Sequence, residues 1–288
     1  MKRALGVNAM KELTEVTSKK CPNCLGEMRA WKHGRGGHVC IHEELENGKM
    51  VWKGCGYTDL AKREARLNQY IYNQTIESNA YRYLKSNSVV GNVNVLERKL
   101  ATFKTYDTAS DNVLRDMYSL VDEILDGKPA HCMLIGQTGT GKTHLAVGIC
   151  NELIEKSKFN KKVMFISYSE LYSQMQTMFE IKEAMREIEQ SILKEVKQAD
   201  LVVIDDLGAE LGDIRSAKQP TDSNVKMITR ILDMREDKAL VLTSNLTGKD
   251  IKEKYGERVT SRIMSNMRRE DGTFRMIEMR DMKDYRTV

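Results

Sequence analysis

The residues with the clearest chemistry lie at positions 136–143, where Gly-Gln-Thr-Gly-Thr-Gly-Lys-Thr fits the pattern G-x-x-x-x-G-K-[ST]. A loop of this composition binds phosphate, because its glycines allow the backbone N–H groups to curl around phosphate oxygens. Lys142 would neutralise the β- and γ-phosphates of a nucleotide, and the Thr143 hydroxyl would bind Mg²⁺. The candidate nucleotide-contacting residues are Gly136, Gln137, Thr138, Gly139, Thr140, Gly141, Lys142, Thr143 and His144.

Acidic and amide side chains follow two later apolar runs. The run at 201–204 ends in Asp205 and Asp206. Asp205 can hold Mg²⁺ through water, and Asp206 is placed to orient or deprotonate an attacking water. The alternative, an Asp pair that caps a helix, is a common use of Asp but is disfavoured by the phosphate loop upstream. Asn245 follows the run at 239–242, and its amide could hydrogen-bond the γ-phosphate or its water.

Cysteines form the third candidate site. Four of the six lie in the first 55 residues: Cys21, Cys24, Cys40 and Cys55. In a reducing compartment such a cluster is more often a metal site than a disulfide framework, and Cys21-Pro-Asn-Cys24 has the spacing of a zinc knuckle. We predict Zn²⁺ bound by these four cysteines. A histidine could replace Cys40 as the third ligand, and the candidates are His33, His38 and His42.

The elements that position these residues fall into three zones. Residues 1–57 form the predicted zinc-binding domain, 58–99 a helical linker, and 100–288 a nucleotide-binding domain. Short apolar runs at 132–135, 163–166, 201–204, 239–243 and 275–279 alternate with amphipathic stretches, which is typical of a parallel sheet with helices on both faces. The predicted fold class is therefore α/β, preceded by a small zinc-binding domain.

Composition excludes several classes. The chain has 288 residues, of which 41% are apolar and 30% charged, and it lacks an apolar run long enough for a membrane span or a secretory signal. We therefore expect a cytoplasmic globular protein with no membrane partner. Residues 1–99 carry a net charge of +7 and the remainder −2. This asymmetry is compatible with an anionic partner for the front of the chain but does not establish nucleic-acid binding.

The order of the motifs GQTGTGKTHLA, LVVIDDLGAE, TSNL, YGERVTSRI and DYR resembles the helicase-loader branch of the AAA+ ATPases. The resemblance is to the DnaC/DnaI family and, more loosely, to IstB-type transposition ATPases, and it covers about residues 100–286. It implies that Asn245 is the sensor-1 residue, that Arg262 is an arginine finger for a neighbouring subunit, with Arg258 as the alternative, and that Arg286 is the sensor-2 arginine.

The same resemblance has further implications for the nucleotide-binding domain. Phe103 and Tyr106 match an aromatic segment that packs near the adenine, although plain core packing is an equally good explanation. Loaders of this family lack a lid domain, so none is expected here. Most AAA+ proteins carry Asp-Glu where this chain has Asp205-Asp206, and the shorter side chain predicts slow ATP hydrolysis.

The resemblance implies an ATP-dependent loader of the replicative hexameric DNA helicase onto single-stranded DNA during replication initiation, using ATP, Mg²⁺ and Zn²⁺. The zinc domain and the predicted helix at 60–84 would dock on the helicase, and a long helical insertion at 170–196 would contact single-stranded DNA. Arg262 would mediate self-association. The alternatives are an IstB-type transposition helper ATPase, a small-molecule kinase, and a zinc-dependent DNA-binding adaptor with a structural nucleotide site. Both a chromosomal gene and a phage or mobile element are compatible with the sequence.

Overall fold

The computed structural model describes residues 7–33, 37–177, 182–212, 219–269, 271–279 and 282. The chain divides into two compact units, residues 1–75 and 76–288. The division falls inside a long helix.

The first unit is built of short strands around the four cysteines. Its elements are α1 (Val7–Leu13), β1 (Thr14–Lys20), β2 (Glu27–Trp31), β3 (His38–Cys40), β4 (His42–Glu46), β5 (Lys49–Lys53) and the first part of α2 (Asp59–Asn87). Strands β1, β2 and β3 form an antiparallel sheet, and β4 and β5 form a separate hairpin. The buried cluster among its described residues consists of Cys21, Met28 and Cys40, with Tyr57 packed against it.

The second unit begins within α2 and contains a parallel sheet with helices on both faces. Its further elements are α3 (Thr108–Leu125), β6 (His131–Ile135), α4 (Lys142–Lys156), β7 (Val163–Ser167), α5 (Tyr168–Thr177), α6 (Lys182–Gln198), β8 (Leu201–Leu207), α7 (Asp222–Asp233), β9 (Ala239–Ser244), α8 (Gly248–Met264) and β10 (Met276–Glu278). The strand order is β10-β6-β9-β8-β7, and each neighbouring pair is parallel.

Alternate residues of each central strand pack on opposite faces of this sheet, as the pleat requires. In β9, Leu240 and Leu242 belong to the cluster that includes apolar residues of α5 to α8. Ala239 and Val241 belong to the opposite cluster, with residues of α3 and α4. Because both faces are covered, the strands appear in the sequence as continuous apolar runs rather than alternating ones.

The predicted α/β class is confirmed, and each of the five predicted strands is present. The predicted helical stretch at 170–196 falls within two described helical segments, α5 and α6, which lie on either side of residues 178–181. Met178, an apolar residue within that predicted stretch, lies outside the described residues. Among the residues that the structure describes, no helix is both long enough and apolar enough to span a membrane.

Candidate functional site

The phosphate-binding pattern occupies the turn between β6 and α4, at the carboxyl edge of the parallel sheet. Gly139 and Gly141 have φ values of 94° and 91°, in the left-handed region that favours glycine, and Gly141 is the N-cap residue of α4. At Gly136 a Cβ atom would lie 3.0 Å from the carbonyl oxygen of Met279, so a side chain has little room there. The loop therefore presents backbone N–H groups and a helix N-terminus toward the cleft.

Lys142 is buried, and its ammonium group is surrounded by oxygen atoms. Its Nζ donates 2.8 Å hydrogen bonds to the carbonyl oxygens of Gly136 and Gln137 and to Oδ1 of Asn245. Asn245 directly follows strand β9, which lies between β6 and β8 in the sheet. The sheet order thus brings Asn245 next to the phosphate loop, although the two are far apart in sequence.

Asp205 and Thr143 meet at the same edge. The Thr143 hydroxyl donates to the Asp205 carboxylate at 3.0–3.1 Å. The Thr243 hydroxyl donates to Oδ1 of Asp205 at 2.6 Å and accepts a 2.8 Å hydrogen bond from the backbone N–H of Asp206. Sequence reasoning did not single out Thr243, whose signal was its position two residues before Asn245 at the end of an apolar run.

Asp206 sits where β8 departs from regular pairing. The register of β8 with β9 shifts between Ile204 and Leu207, and Asp206 has a φ of 61°, which is uncommon for a residue other than glycine. Its Oδ1 accepts a 2.9 Å hydrogen bond from Nδ2 of Asn245. Asp206 is half-buried, whereas Asp205 is buried.

Burial governs the electrostatics of both carboxyl groups. Desolvation raises the pKa of Asp205, and hydrogen bonds from the Thr243 and Thr143 hydroxyls oppose that rise. Desolvation also raises the pKa of Asp206, and the charge of Lys142 opposes it. A carboxylate with a raised pKa is a stronger base than one in open water, which suits a proton acceptor.

These residues line a cleft of about 350 Å³. Its lining includes Lys142, Thr143, Asp206 and Asn245, together with Arg98, Phe103 and His144. The rings of Phe103 and His144 meet edge to face, with centroids 5.5 Å apart. Phe103 lies in the cleft lining and also belongs to an apolar core cluster, so both explanations given for it stay open, and Tyr106 is not part of the lining. Arg98 was not anticipated from the sequence.

The two arginines considered as finger residues lie away from this cleft, on α8. Arg262 forms an ion pair with Asp233 at the end of α7, and Arg258 lies 3.7 Å from the other carboxylate oxygen of Asp233. Both guanidinium groups are partly exposed. Arg286, the remaining residue that the resemblance singled out, lies outside the described residues.

In the first unit, the sulfur atoms of four cysteines lie within 4.8 Å of one another: Cys21, Cys24, Cys40 and Cys55. Two of their separations are 3.4 and 3.5 Å. Tetrahedral zinc with bonds near 2.3 Å needs sulfurs about 3.8 Å apart, so this donor set fits Zn²⁺. The group includes Cys40 and none of the three histidines considered as its substitutes.

Backbone contacts join the two segments that carry Cys40 and Cys55. Cys21 and Cys24 lie on the turn between β1 and β2, and the Cys40 N–H donates to the carbonyl oxygen of Tyr57 at 2.8 Å. Gly54 is needed for this approach, because a Cβ there would lie 1.9 Å from the Cys40 carbonyl oxygen. Burial raises the pKa of the Cys40 thiol to about 12, and a hydrogen bond from the Asn23 side chain lowers the pKa of Cys55 to about 6.

Comparison with known proteins finds a family match that lies within the second unit. The family model described as IstB-like ATP binding protein matches residues 93–267. The replicative helicase loader DnaC of Escherichia coli strain K12 is 32% identical over 141 residues, which cover 43% of this chain and 55% of that protein. DnaC of Buchnera aphidicola is 30% identical over 132 residues, which cover 44% and 48%. The chain thus spans about half the length of the curated relatives it matches.

Solved structures support the fold. The crystal structure of DnaI is similar over 69% of this chain and 95% of its own, with a TM-score of 0.50 and 20% identity. The crystal structure of the DnaC helicase loader is similar over 66% of this chain and 99% of its own, with a TM-score of 0.50 and 18% identity. At this level of identity the two structures establish a shared architecture.

Proposed function

The chain belongs to the IstB-like ATP-binding protein family, and from that premise we propose that it is an ATP-dependent loader of a replicative hexameric DNA helicase. The observation that carries the proposal is its 32% identity, over 141 residues, to a protein named as a replicative helicase loader. The family match at residues 93–267 contains the phosphate loop and both aspartates. The zinc-type cysteine cluster in front of that segment supports a separate unit for partner binding.

The donor set of the cleft fits Mg-ATP. We assign the phosphates to the loop 136–144, with Lys142 against the β- and γ-phosphates, so that its present oxygen partners would be exchanged for phosphate oxygens. Thr143 and Asp205 supply the hydroxyl and carboxylate oxygens that Mg²⁺ prefers. When bound there, Mg²⁺ neutralises charge that develops on the β- and γ-phosphates.

For hydrolysis we assign the proton acceptor to Asp206 and the sensing of the γ-phosphate to Asn245. The Asp206 carboxylate faces the cleft, and its hydrogen bond to Asn245 Nδ2 holds it in place. Asn245 also contacts Lys142, so one amide links the group that binds phosphate to the group that would accept a proton. Because Asp is shorter than Glu at this place, we expect slow turnover that depends on a partner or on DNA.

Self-association would complete the site through Arg262, with Arg258 as the alternative, reaching the γ-phosphate of a neighbouring subunit. In the single chain Arg262 is paired with Asp233. An exposed ion pair of this kind contributes about 0–1 kcal/mol, so exchanging Asp233 for a phosphate costs little. We also propose a sensor-2 role for Arg286, which the described residues do not address.

We propose that the helicase binds the zinc-bearing unit and the adjoining part of α2. The described side chains of residues 62–75 are all exposed, including four large apolar ones: Leu67, Tyr70, Ile71 and Tyr72. Apolar side chains exposed in succession along one helix indicate a surface that a partner covers. Zn²⁺ held by Cys21, Cys24, Cys40 and Cys55 would stabilise this unit, whose own apolar core is small.

We propose that the protein binds single-stranded DNA through helix α6. Helix α6 exposes three cations, Arg186, Lys194 and Lys197, which could contact backbone phosphates without reading sequence. If single-stranded DNA neither binds the protein nor stimulates hydrolysis, this part of the proposal is wrong.

Co-elution of the full chain with the replicative helicase of its host, with ATP and with ADP, tests the loader function. We expect a stable complex with ATP and none with a Cys21→Ser/Cys24→Ser variant. Lys142→Ala should lose ATP binding and the dependence of the complex on nucleotide. No association under any nucleotide would contradict the loader function.

The family match itself favours a second candidate, a transposition helper ATPase. Such a protein would use the same nucleotide site but would recruit a transposase to DNA. Co-elution with a transposase encoded beside the gene, in place of the helicase, would support this candidate.

A further inference from the structure

One buried carboxyl group of the second unit takes no part in the steps above. Glu210 lies in the short 3-10 helix Ala209–Leu211 that follows β8, and only 8% of the residue is exposed. Its Oε2 accepts a 3.0 Å hydrogen bond from the backbone N–H of Gly208, and its Oε1 accepts a hydrogen bond from the Tyr255 hydroxyl. A buried carboxylate is costly unless donors satisfy it, so this arrangement is specific.

Packing and hydrogen bonds connect the loop that contains Glu210 to the nucleotide site. Gly208, with a φ of 101°, packs so closely against Leu246 that a Cβ would lie 2.5 Å from Leu246 Cδ1. The Ser244 hydroxyl donates to the carbonyl oxygen of Leu207 at 2.6 Å and accepts a 3.0 Å hydrogen bond from the Leu246 N–H. The loop after Asp206 and the loop after Asn245 are therefore packed as one piece, and Glu210 belongs to it.

Glu210 also contacts α8, the helix that carries Arg258 and Arg262, because it accepts the hydrogen bond of the Tyr255 hydroxyl. Tyr255 is 3% exposed and lies directly before Gly256, whose φ of 84° and ψ of 170° interrupt α8. Arg258 and Arg262 follow this break. The Tyr255 hydroxyl thus anchors the last turn before the point at which α8 changes direction.

We infer that the Glu210–Tyr255 pair couples the nucleotide site of a subunit to the arginine that the same subunit offers to its neighbour. The inference rests on the proposed function, in which Arg262 acts on a neighbouring subunit. Glu210 and Tyr255 are positioning residues, since neither lines the cleft. A shift of the loop after Asp206 moves Glu210, and the shared hydrogen bond carries that movement to the segment after Gly256.

A two-chain complementation assay tests the coupling. An Asp206→Asn chain offers an arginine but no working site, and an Arg262→Ala chain offers a site but no arginine. Mixed with ATP and single-stranded DNA, the two recover hydrolysis only where an intact arginine meets an intact site. Tyr255→Phe is then introduced into one partner at a time, in otherwise unchanged mixtures.

We expect Tyr255→Phe in the Asp206→Asn chain to lower the recovered rate about tenfold, because a small misplacement of a catalytic group has effects of this size or larger. In the Arg262→Ala chain the same change should have less than about a twofold effect, the range of a neutral substitution. Affinity for a fluorescent ATP analogue should stay within about twofold in both cases. A general loss of structure would reduce affinity and affect both mixtures alike.

Glu210→Gln is the second variant, and it should follow the same asymmetry if Tyr255→Phe folds poorly. Tyr83→Phe is the matched control, because the Tyr83 hydroxyl donates to Glu195 Oε2 at 2.8 Å, in a pair that is not part of the cleft. It should leave both mixtures unchanged. An equal loss in both mixtures, or a loss in neither, overturns the coupling. Failure of the parent mixture to recover any hydrolysis instead contradicts the assignment of Arg262 as a finger, and the coupling falls with it.

Discussion

At the scale of single residues, the parts of the site that the sequence predicts are those that phosphate chemistry demands. Glycines, Lys142 and Thr143 are recognisable because few other compositions can surround a phosphate. The partners of Arg262 and Lys142 could not be predicted in the same way. Asn245 is marked by its place after an apolar run, but its contact with Lys142 depends on strand order, and the contact of Asp233 with Arg262 depends on helix packing.

Thr243 provides a test of how the two aspartates are held. Thr243→Val removes the hydroxyl that bonds to Asp205 and leaves the buried Asp206 N–H without that acceptor. We expect the free energy of unfolding to fall by about 1–3 kcal/mol. Magnesium-dependent hydrolysis should fall about tenfold or more, because Asp205 and Asp206 lose their shared support.

The matched control is Thr229→Val, since the Thr229 hydroxyl donates only within its helix, to the carbonyl oxygen of Val225. Urea unfolding and steady-state ATP hydrolysis measure the two effects. Equal rates for Thr243→Val and Thr229→Val would show that Thr243 does not position the aspartates.

His131 gives the protein a predicted pH dependence. It is completely buried, with Nδ1 3.3 Å from the carbonyl oxygen of Ile263 and Nε2 3.0 Å from that of Arg235, and burial lowers its pKa. The unfolded chain therefore binds more protons than the folded one as pH falls through about 6.5. The free energy of unfolding should decrease over that range as the solution becomes more acidic.

Urea unfolding between about pH 7.5 and 5.5 measures this dependence. Burial also lowers the pKa of His144, so the comparison is best made in a His144→Gln background. Adding His131→Gln should flatten the remaining decline. Parallel curves with and without His131 would mean that its protonation does not oppose folding.

At the scale of elements, the five strands of the sheet could be located from the sequence because both faces of the sheet are covered. Continuous apolar runs then mark the strands with little ambiguity. The helical segments between β7 and β8 are harder to delimit, because a helical apolar period gives no sharp boundary in the sequence. The left-handed backbone of Asp206 has no sequence signal, because aspartate adopts that conformation only where the surrounding structure requires it.

Two glycines of the second unit, Gly208 and Gly127, allow backbone strain to be separated from packing. Both have positive φ values, 101° and 82°, so Ala at either position costs about 1–2 kcal/mol of conformational strain. At Gly208 the new Cβ would also meet Leu246, and that overlap adds about 1–3 kcal/mol, whereas at Gly127 no atom of the described residues lies within 4 Å of it. Gly208→Ala should therefore unfold at lower urea concentration than Gly127→Ala and should also lose hydrolysis. Similar unfolding midpoints would show that the Leu246 contact relaxes without cost.

At the scale of the whole molecule, the two units depend on different sources of stability. The second unit has two large apolar clusters, whereas the first has a small one made mostly of cysteines. Small domains with so little core need a metal or a similar cross-link. The units are therefore expected to respond differently when metal is removed.

Metal removal can be followed selectively, because both tryptophans of the chain, Trp31 and Trp52, lie in the first unit. We expect one zinc ion per chain. A strong chelator, or Cys21→Ser/Cys24→Ser, should change the tryptophan emission to that of exposed indole while binding of a fluorescent ATP analogue persists. Cys132→Ala, which alters a buried cysteine outside the cluster, should retain the metal. Loss of nucleotide binding in step with zinc would contradict this independence.

The position of β6 in the sheet has a consequence for biosynthesis. Its neighbours are β9 and β10, so both edges of the strand that precedes the phosphate loop remain unpaired until the ribosome has passed residue 238. Gly136 N–H bonds to the carbonyl oxygen of Ser244, and the Met279 N–H bonds to that of Ile135, so the loop is fixed only late in translation. The five strands of the first unit and all four of its clustered cysteines have been synthesised once the ribosome passes residue 57. A nascent chain can therefore present a folded first unit to a partner before it is able to bind ATP.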